Sequence, residues 1–163
     1  MTETTAFIDS PVGILKLVQT DNAISAILFI NDKNVELSQT FSSDLLKDCA
    51  SQLAGYFEFS QNIFSFAMAQ KGTAFQQKVW EQLQTIAFGK TISYNQLAIK
   101  LGDAKCIRAA GTANGRNSLS IVVPCHRVIG SDGSLTGYAG GLWRKQWLLE
   151  HEAKLAHGVQ TLF

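Results

Sequence analysis

A cysteine and a histidine stand side by side at positions 125 and 126, inside the apolar stretch IVVPCHRVIG at residues 121–130. A thiol beside an imidazole is found in catalytic pairs, in metal-ligand pairs and in ordinary packed cores. A free cysteine has a pKa of about 8.5, so an imidazole that takes its proton raises the reactive thiolate fraction. Such a base is usually oriented by a carboxylate, for which Glu150 and Glu152 are candidates. Spacing alone leaves all three alternatives open.

The cysteine content argues against a disulfide scaffold and against a zinc site. The chain has three cysteines, Cys49, Cys106 and Cys125, with no CxxC pair and no Cys/His cluster at ligand spacing. An odd number of free thiols favours a reducing, cytoplasmic compartment. The N-terminus lacks a signal-peptide pattern, and no apolar run of about 18 residues predicts a membrane span. We therefore expect a protein without a metal and without a membrane partner.

The charge is distributed unevenly along the chain. Residues 1–72 hold four Lys/Arg and eight Asp/Glu, a net charge of −4, whereas residues 73–163 hold ten and five, a net charge of +5. A basic C-terminal part beside an acidic N-terminal part is consistent with a polyanionic partner for the C-terminal part. Many domains carry such an imbalance by chance, so the charge alone does not identify the partner.

Residues 1–72 are predicted to form a small α/β domain. Branched apolar residues predict strands at 12–18 and 23–30, joined as a hairpin at Asp21-Asn22, and alternation predicts a third strand at 62–68. Apolar residues at helical spacing predict a helix over 42–58, with Cys49 on its buried stripe. The segment 69–75 is the predicted boundary with a second domain at 73–163.

The second domain is predicted to be mostly helical. Thr73 is the predicted cap of a helix that stops at Gly89, and Ser93 with Gln96 forms a capping-box pattern for a helix ending at Gly102. Asp103 can cap a following helix over 104–115. Two short helices joined by a tight turn are typical of a helix-turn-helix, although an ordinary helical hairpin gives the same pattern. The second helix would present its first residues to DNA: Lys105, Cys106, Arg108, Ala109, Ala110 and Gly111.

The cysteine itself is predicted to follow a buried strand that Pro124 ends. In a strand the Cys125 and His126 side chains would point to opposite faces, so contact between them needs a bend or a bridging water. A glycine-rich loop with Tyr138 spans residues 131–143, and a last helix is predicted over 143–157, with Gly158 as its stop.

The motif PCHRV at residues 124–128 resembles the active-site motif of the O6-alkylguanine-DNA alkyltransferases, or methylated-DNA–protein-cysteine methyltransferases. Further stretches resemble segments of that family in the same order, densely over about 73–153 and sparsely before that. They are SPVGILKL at 10–17, GTAFQQKVWEQLQTI at 72–86, GKTISYNQLA at 89–98, RAAGTANGRN at 108–117 and GYAGGLWRKQWLLEHE at 137–152.

The resemblance implies a role for each matched residue. Cys125 would accept the alkyl group, His126 would act as a base through a water molecule, and Glu152 would orient His126. Asn117 would hold the hinge between the helix and the active-site segment. Arg108 would take the place of the flipped nucleotide in the stack, and Tyr94 would rotate a phosphate and donate a proton toward the base. The base pocket would be lined by Val128, Tyr138, Ala139 and Gly140.

The same resemblance implies an α+β fold, with a ribonuclease-H-like N-terminal subdomain and a winged helix-turn-helix-like C-terminal domain. It implies a monomer that binds double-stranded DNA through the minor groove, needs no cofactor, and dealkylates O6-alkylguanine once per molecule. O4-alkylthymine is a further expected substrate. Ser118 stands where the family usually has proline, which predicts a looser hinge.

Two other functions compete with this one. A damage-binding module without transfer activity would have the acceptor cysteine replaced, and Cys125 is present. A cysteine hydrolase unrelated to DNA would turn over an ester or an amide, and it would leave the Arg108 helix unexplained.

Overall fold

The computed structural model describes residues 1–157 and shows an α+β protein. The chain forms two compact units, one of Met1–Lys71 with Ser118–Val122, the other of Gly72–Asn117 with Val123–Phe163. The predicted division of the chain at residues 72 and 73 does not include one feature. At Ser118–Val122 the chain returns to the first unit. Within residues 1–157, no helix has the length and apolar character needed to cross a bilayer.

The first unit is built on a three-stranded antiparallel sheet in the order β1-β2-β3. The strands are β1 (Glu3–Ile8), β2 (Ile14–Thr20) and β3 (Ala23–Ile30). The predicted hairpin at Asp21-Asn22 is confirmed, with Asp21 at a φ of 51°. Strand β1 was not predicted, and it pairs with β2 along its whole length from Glu3 opposite Thr20 to Ile8 opposite Leu15.

Helix α1 (Asp44–Phe57) covers this sheet, as the helical spacing predicted. The Ser43 side chain caps its first turn by accepting a hydrogen bond from the Leu46 N–H at 3.0 Å. Cys49 lies on the buried face, and burial, with a smaller contribution from Asp48, raises the pKa of its thiol to about 12. Cys49 is therefore a packed, unreactive thiol.

The prediction of a third strand at residues 62–68 is wrong. Only Met68 makes a bridge, to Ile24 of β3, and the preceding backbone is held by side chains instead. The Ser65 N–H, for example, donates to Gln52 Oε1 at 2.9 Å. The alternation in this segment reflects ring packing, because Phe64 lies 5.8 Å from Tyr56 and 6.1 Å from Phe66 between ring centroids.

The returning segment is fixed to the first unit by hydrogen bonds. Ser118 donates from its N–H and its hydroxyl to Gln70 Oε1 at 2.9 Å each, and its hydroxyl lies 2.9 Å from the Ser25 carbonyl. Leu119 makes a bridge to Ile27. Ser118 is thus held firmly in place without the ring of a proline.

In the part of the chain that the structure describes, the second unit contains four helices and a short parallel pair of strands. Its helices are α2 (Ala74–Leu83), α3 (Tyr94–Lys100), α4 (Ile107–Gly115) and α5 (Leu142–His157), and its strands are β4 (Ile92–Ser93) and β5 (Val128–Ile129). The predicted cap at Thr73 and the predicted capping box of Ser93 with Gln96 are confirmed, and Thr73 also forms a capping box with Gln76. The predicted stop at Gly158 lies outside the described residues.

Two predicted elements of this unit need correction. Helix α2 ends at Leu83 rather than near Gly89, and residues Ala104–Cys106 form a separate 3₁₀ turn before α4. Asp103 caps that turn by accepting from the Lys105 N–H at 2.8 Å. Lys105 and Cys106 therefore precede the helix in which they were predicted to lie.

The predicted buried strand before Pro124 is also wrong. Residues 120–123 turn instead, and Ile121 has a φ of 73°, a value that a β-branched residue rarely adopts. Pro124 is followed by a 3₁₀ turn, Cys125–Arg127, which we call the cysteine turn. The turn supplies the bend that contact between the Cys125 and His126 side chains would need, and it leads directly into β5.

Gly89 allows α5 to approach the loop after α2. Its φ is 79°, and a Cβ atom built on it would lie 2.5 Å from the Cβ of Ala156 in α5. Both the backbone conformation and the contact distance therefore require glycine at this position.

We expect Gly89→Ala to lower the free energy of unfolding by about 1–3 kcal/mol, because the variant must strain its backbone and displace α5. Urea denaturation measures the loss. Gly115→Ala is the matched control, since a Cβ at Gly115 meets nothing within 4 Å and alanine is favoured in helices. Equal stability of the Gly89→Ala variant and wild type would contradict this account of the close approach.

Candidate active site

The cysteine turn buries three consecutive functional side chains. Cys125, His126 and Arg127 are 6%, 0% and 7% exposed. The Arg127 N–H donates to the Pro124 carbonyl at 3.0 Å, and this bond closes the turn. Because the backbone is turned rather than extended, the three side chains are not forced to alternate between two faces.

Glu152 of α5 joins two of these side chains. Its Oε2 lies 2.6 Å from His126 Nε2, and its Oε1 accepts from Arg127 Nε at 2.7 Å. Burial alone would raise the pKa of this carboxyl, but the charges and hydrogen bonds of His126 and Arg127 hold it well below its usual range. Glu152 is therefore ionised at neutral pH, and of the two predicted carboxylates it is the one that reaches His126.

The histidine ring keeps one nitrogen available. With Nε2 donating to Glu152, Nδ1 is the nitrogen that can accept a proton, since neutral imidazole carries one donor and one acceptor. His126 Nδ1 is buried and makes no hydrogen bond to any residue in the range 1–157. A buried acceptor without a partner is costly, so this atom is suited to receive a proton or to bind a water.

Arg127 ties the turn to the loop after α2. Its Nη1 donates to the Ile86 carbonyl at 2.7 Å, and its guanidinium lies 5.5 Å from the ring centroid of Phe88. Together with the bond to Glu152, these contacts satisfy a buried charge. The sequence analysis gave Arg127 no role, although its place in the PCHRV motif marked it.

The Cys125 thiol is surrounded by groups with opposite effects on its pKa. Burial raises the pKa above its usual value, whereas a hydrogen bond from Asn117 and the positive charge of Lys145 lower it. The Asn117 amide also donates to the Val123 carbonyl at 2.7 Å. Asn117 thus contacts both the backbone before the turn and the thiol within it.

Lys145 is a buried ammonium that the sequence analysis missed. It is 0% exposed, and its Nζ donates to the Thr136 carbonyl at 3.1 Å and to the Tyr94 hydroxyl at 3.4 Å. Burial lowers the pKa of Lys145, and the neighbouring Cys125 thiolate opposes this effect. The signal in the sequence is its helical spacing with Leu148 and Glu152, which predicts a shared face of α5 but does not predict that a lysine is buried there.

Tyr94 of α3 stands at the same site. Its hydroxyl donates to the Thr136 carbonyl at 3.1 Å, and its ring lies 5.7 Å from the Lys145 Nζ. Burial raises the pKa of Tyr94, and the charge of Cys125 adds to this, against the hydrogen bond to Thr136. Tyr94 therefore carries its proton at neutral pH and can act as a donor.

The predicted DNA-contacting residues lie around the start of α4. Lys105, Arg108 and Ala109 are exposed and Cys106 is half-buried, whereas Ala110 is fully buried and contributes to the core instead. Gly111 lies against the ring of Tyr94, with 3.7 Å between a notional Cβ and the nearest ring atom. Residues from α3 and α4 are thus adjacent at this surface.

The predicted pocket residues are brought together only in part. Val128 is fully buried in β5, and burial, followed by the charge of Cys125, raises the pKa of Tyr138 well above its usual value. Tyr138 and Cys125 are therefore close neighbours. Gly140 is buried and accepts from Arg144 Nη1 at 3.0 Å, whereas Ala139 is exposed. Within residues 1–157, no three His, Cys, Asp or Glu side chains are grouped as metal ligands.

A buried thiol beside a histidine–glutamate pair, with a helix pair that exposes an arginine, matches one class of proteins. The family model for the DNA-binding domain of 6-O-methylguanine DNA methyltransferase matches residues 74–154, and the model for its ribonuclease-like domain matches residues 4–70. These two models cover most of the chain. The chain belongs to the 6-O-methylguanine DNA methyltransferase family.

Individual relatives resemble the chain over nearly its whole length. The methylated-DNA–protein-cysteine methyltransferase of Mycolicibacterium paratuberculosis is 41% identical over 159 residues, which are 96% of each chain. The protein of that name from Methanosarcina barkeri is 38% identical over 148 residues, or 89% of this chain and 94% of the relative. The structure of the Mycobacterium tuberculosis OGT in complex with DNA has a TM-score of 0.83, at 38% identity and 93% coverage of each chain.

We expect Glu152→Gln to destabilise the protein at neutral pH by about 3 kcal/mol, because it removes the carboxylate that pairs with the buried Arg127 guanidinium and accepts from His126. The depressed pKa of Glu152 stabilises the folded state above the unfolded value of about 4.3, and this contribution is lost as pH falls below it. The difference between wild type and variant should therefore shrink on acidification.

Urea unfolding between pH 7 and about pH 2 measures this dependence, because the loss begins only near the unfolded pKa of about 4.3. Glu150→Gln is the matched control, since Glu150 is exposed and its carboxylate accepts a hydrogen bond from Gln146 Nε2 at 2.9 Å. A pH-independent difference between wild type and Glu152→Gln would contradict the assignment of the lowered pKa to Glu152.

We expect Lys145→Met to raise the pKa of Cys125, because the variant lacks the positive charge that opposes the effect of burial. Alkylation of Cys125 by iodoacetamide should shift to higher pH, with about a tenfold loss of thiolate for each unit of pKa. Peptide mass spectrometry follows the rate at Cys125. The exposed Lys154 of the same helix gives the control Lys154→Met, and an identical pH profile in both variants would contradict an electrostatic effect of Lys145.

Proposed function

We propose that this protein repairs double-stranded DNA by moving the alkyl group of O6-alkylguanine to its own Cys125, once per molecule. The observation that carries the proposal is the buried constellation of Cys125, His126, Glu152 and Lys145 in the same unit as the exposed Arg108. A thiol with a base, an oriented carboxylate and a nearby cation is suited to nucleophilic attack on carbon.

The transfer proceeds with a balanced movement of bonds and protons. His126 Nδ1 takes the thiol proton, directly or through a bound water, and Glu152 stabilises the resulting imidazolium. The Cys125 sulfur then forms a bond to the alkyl carbon as the bond from that carbon to O6 breaks. The electron pair passes to the guanine ring, which takes a proton donated by Tyr94.

The product explains why the protein would react only once. The alkyl group ends on Cys125 as a thioether, which water does not cleave under mild conditions. The negative charge of the thiolate passes to the guanine and is neutralised there by the proton from Tyr94. The Tyr94 phenolate regains a proton, through solvent, from the His126 imidazolium, so the net proton moves from the thiol to the repaired base. No cofactor takes part in this sequence of steps.

Recognition of the lesion is assigned to α3 and α4, acting as a helix-turn-helix. The target base must leave the duplex stack, which costs a few kcal/mol, and Arg108 would fill the vacated place. Exposed Ala109 and the side-chain-free Gly111 permit close approach of the backbone, which supports docking in the minor groove. Lys105 and Cys106 would contact the DNA backbone just before the helix.

The flipped base would lie against Val128, Tyr138, Ala139 and Gly140. We propose that the protein acts as a monomer, since one unit of one chain supplies every group of the site. A reducing, cytoplasmic location would keep the Cys125 thiol free. O4-alkylthymine is a second candidate substrate, because it too carries an alkyl group on an exocyclic oxygen of a base.

We expect Cys125→Ser to bind a duplex containing one O6-methylguanine as tightly as wild type does and to transfer no methyl group. A hydroxyl replaces the thiol with little change in volume, but it is a far weaker nucleophile at neutral pH. Gel-shift titration measures binding, and nucleoside analysis of the DNA measures repair. Cys106→Ser is the matched control, and it should repair the lesion.

Each competing function predicts a different outcome. Transfer by Cys125→Ser would place the acceptor elsewhere. Lesion binding without transfer in wild type would instead identify a damage-binding module, and turnover of an ester by wild type, abolished in Cys125→Ser, would identify a hydrolase.

A further inference from the structure

Two asparagines from the same end of α4 hold the cysteine turn. Asn114 and Asn117 are three residues apart, and the Asn117 N–H donates to the Asn114 carbonyl at 3.4 Å, so both lie on one side of the helix end. The Asn117 side chain forms hydrogen bonds with the Cys125 thiol and with the Val123 carbonyl. The Asn114 side chain forms a hydrogen bond with the backbone of Cys125 itself.

The contact of Asn114 is fully buried. Its side chain is 4% exposed, and its Nδ2 donates to the Cys125 carbonyl at 3.3 Å. Its Oδ1 is also buried and makes no hydrogen bond to any of the described residues 1–157. Leaving such an acceptor unpaired costs about 1–3 kcal/mol, so packing alone would favour an apolar side chain at this position.

Helix α4 is itself held rigidly at this end. The Trp80 indole Nε1 of α2 donates to the Ala113 carbonyl at 2.9 Å, one residue before Asn114. The Arg116 N–H closes the last turn on the carbonyls of Thr112 and Ala113, at 3.1 Å each. These bonds hold the backbone near Asn114 in place. The Asn114 side chain can therefore keep the Cys125 carbonyl in a fixed position.

We propose that Asn114 is a positioning residue for alkyl transfer, which fixes the Cys125 backbone through its carbonyl and thereby aims the thiol at the alkyl carbon. The inference rests on the proposed function. Because Arg108 lies in the first turn of the same nine-residue helix that ends near Asn114, the helix that engages DNA also sets the position of the nucleophile.

The geometry explains why one hydrogen bond matters for rate. Attack on carbon requires the sulfur to lie in line with the breaking bond, and a misplacement of about 1 Å can slow a reaction by two orders of magnitude. The turn that carries Cys125 is only three residues long and has no side-chain cap at its start. The hydrogen bond from Asn114 holds the first residue of the turn, where no side-chain cap does so.

Single-turnover kinetics on a duplex with one O6-methylguanine separates positioning from binding. Asn114→Asp keeps the size of the side chain but replaces the donor with a carboxylate, and Asn114→Ala removes the donor without adding charge. We expect the transfer rate at saturating DNA to fall about tenfold or more in both variants. The half-saturating DNA concentration should change less than about twofold, since the Asn114 side chain is buried.

Thr112→Ala is the matched control, because Thr112 is exposed in the same helix two residues earlier, and it should keep the wild-type saturating rate. Thermal unfolding of each variant identifies the folded fraction, to which the rates are normalised. If one variant does not fold, the other still measures the effect of losing the donor.

Three results would overturn the proposal. A saturating rate equal to that of wild type, with only a lower melting temperature, would make Asn114 a structural residue. A higher half-saturating concentration at an unchanged saturating rate would make it a DNA-binding residue. Loss of rate in Thr112→Ala as well would show a general effect of α4. Absence of transfer by wild type would instead contradict the proposed function, so the two failures are distinguishable.

Discussion

The carboxylate of Glu152 accepts hydrogen bonds from two consecutive residues, His126 and Arg127, in a place that excludes water. A buried charge of this kind is stable only when each of its oxygens has a partner. Both partners belong to the cysteine turn, so the requirement fixes the turn against α5. The same contact sets the tautomer of His126 and leaves its Nδ1 as the proton acceptor.

Other residues of the second unit help to hold α5 and the cysteine turn together. Gly89 permits α5 to approach, which brings Glu152 and Lys145 to the site on one helix face. Arg127 connects the turn to the Ile86 carbonyl, and the asparagines at the end of α4 hold the turn from the other side. The pKa of the Cys125 thiol reflects burial, which raises it, against the hydrogen bond from Asn117 and the charge of the buried Lys145 ammonium, which lower it.

The sequence predicted elements whose signals are local. The hairpin at Asp21-Asn22, the cap at Thr73 and the capping box at Ser93 depend on neighbouring residues only, and each was confirmed. The third strand at 62–68 and the strand before Pro124 were wrong because alternating or continuous apolar residues also occur where buried side chains pack on irregular backbone. Only tertiary contacts, such as those of Gln52 with Ser65, distinguish the two cases.

The site was predicted through motif resemblance rather than periodicity. The motif placed Cys125, His126 and Glu152 in one family pattern, and the structure brings Glu152 to 2.6 Å from His126. Lys145 and Asn114 were missed because a lysine in an amphipathic helix and an asparagine near a helix end are ordinary residues in a sequence. Their burial and their partners, Tyr94 and Cys125, are visible only in the fold.

The central claim is that Cys125 accepts one alkyl group directly from DNA. The most direct measurement is the mass of the intact protein and of its peptides after incubation with excess duplex carrying one O6-methylguanine. The account predicts a gain of one methylene mass per protein, confined to the Cys125 peptide, with guanine restored in the DNA. An unmodified Cys125 peptide after the lesion has been bound, or repair of more than one lesion per protein, would contradict it.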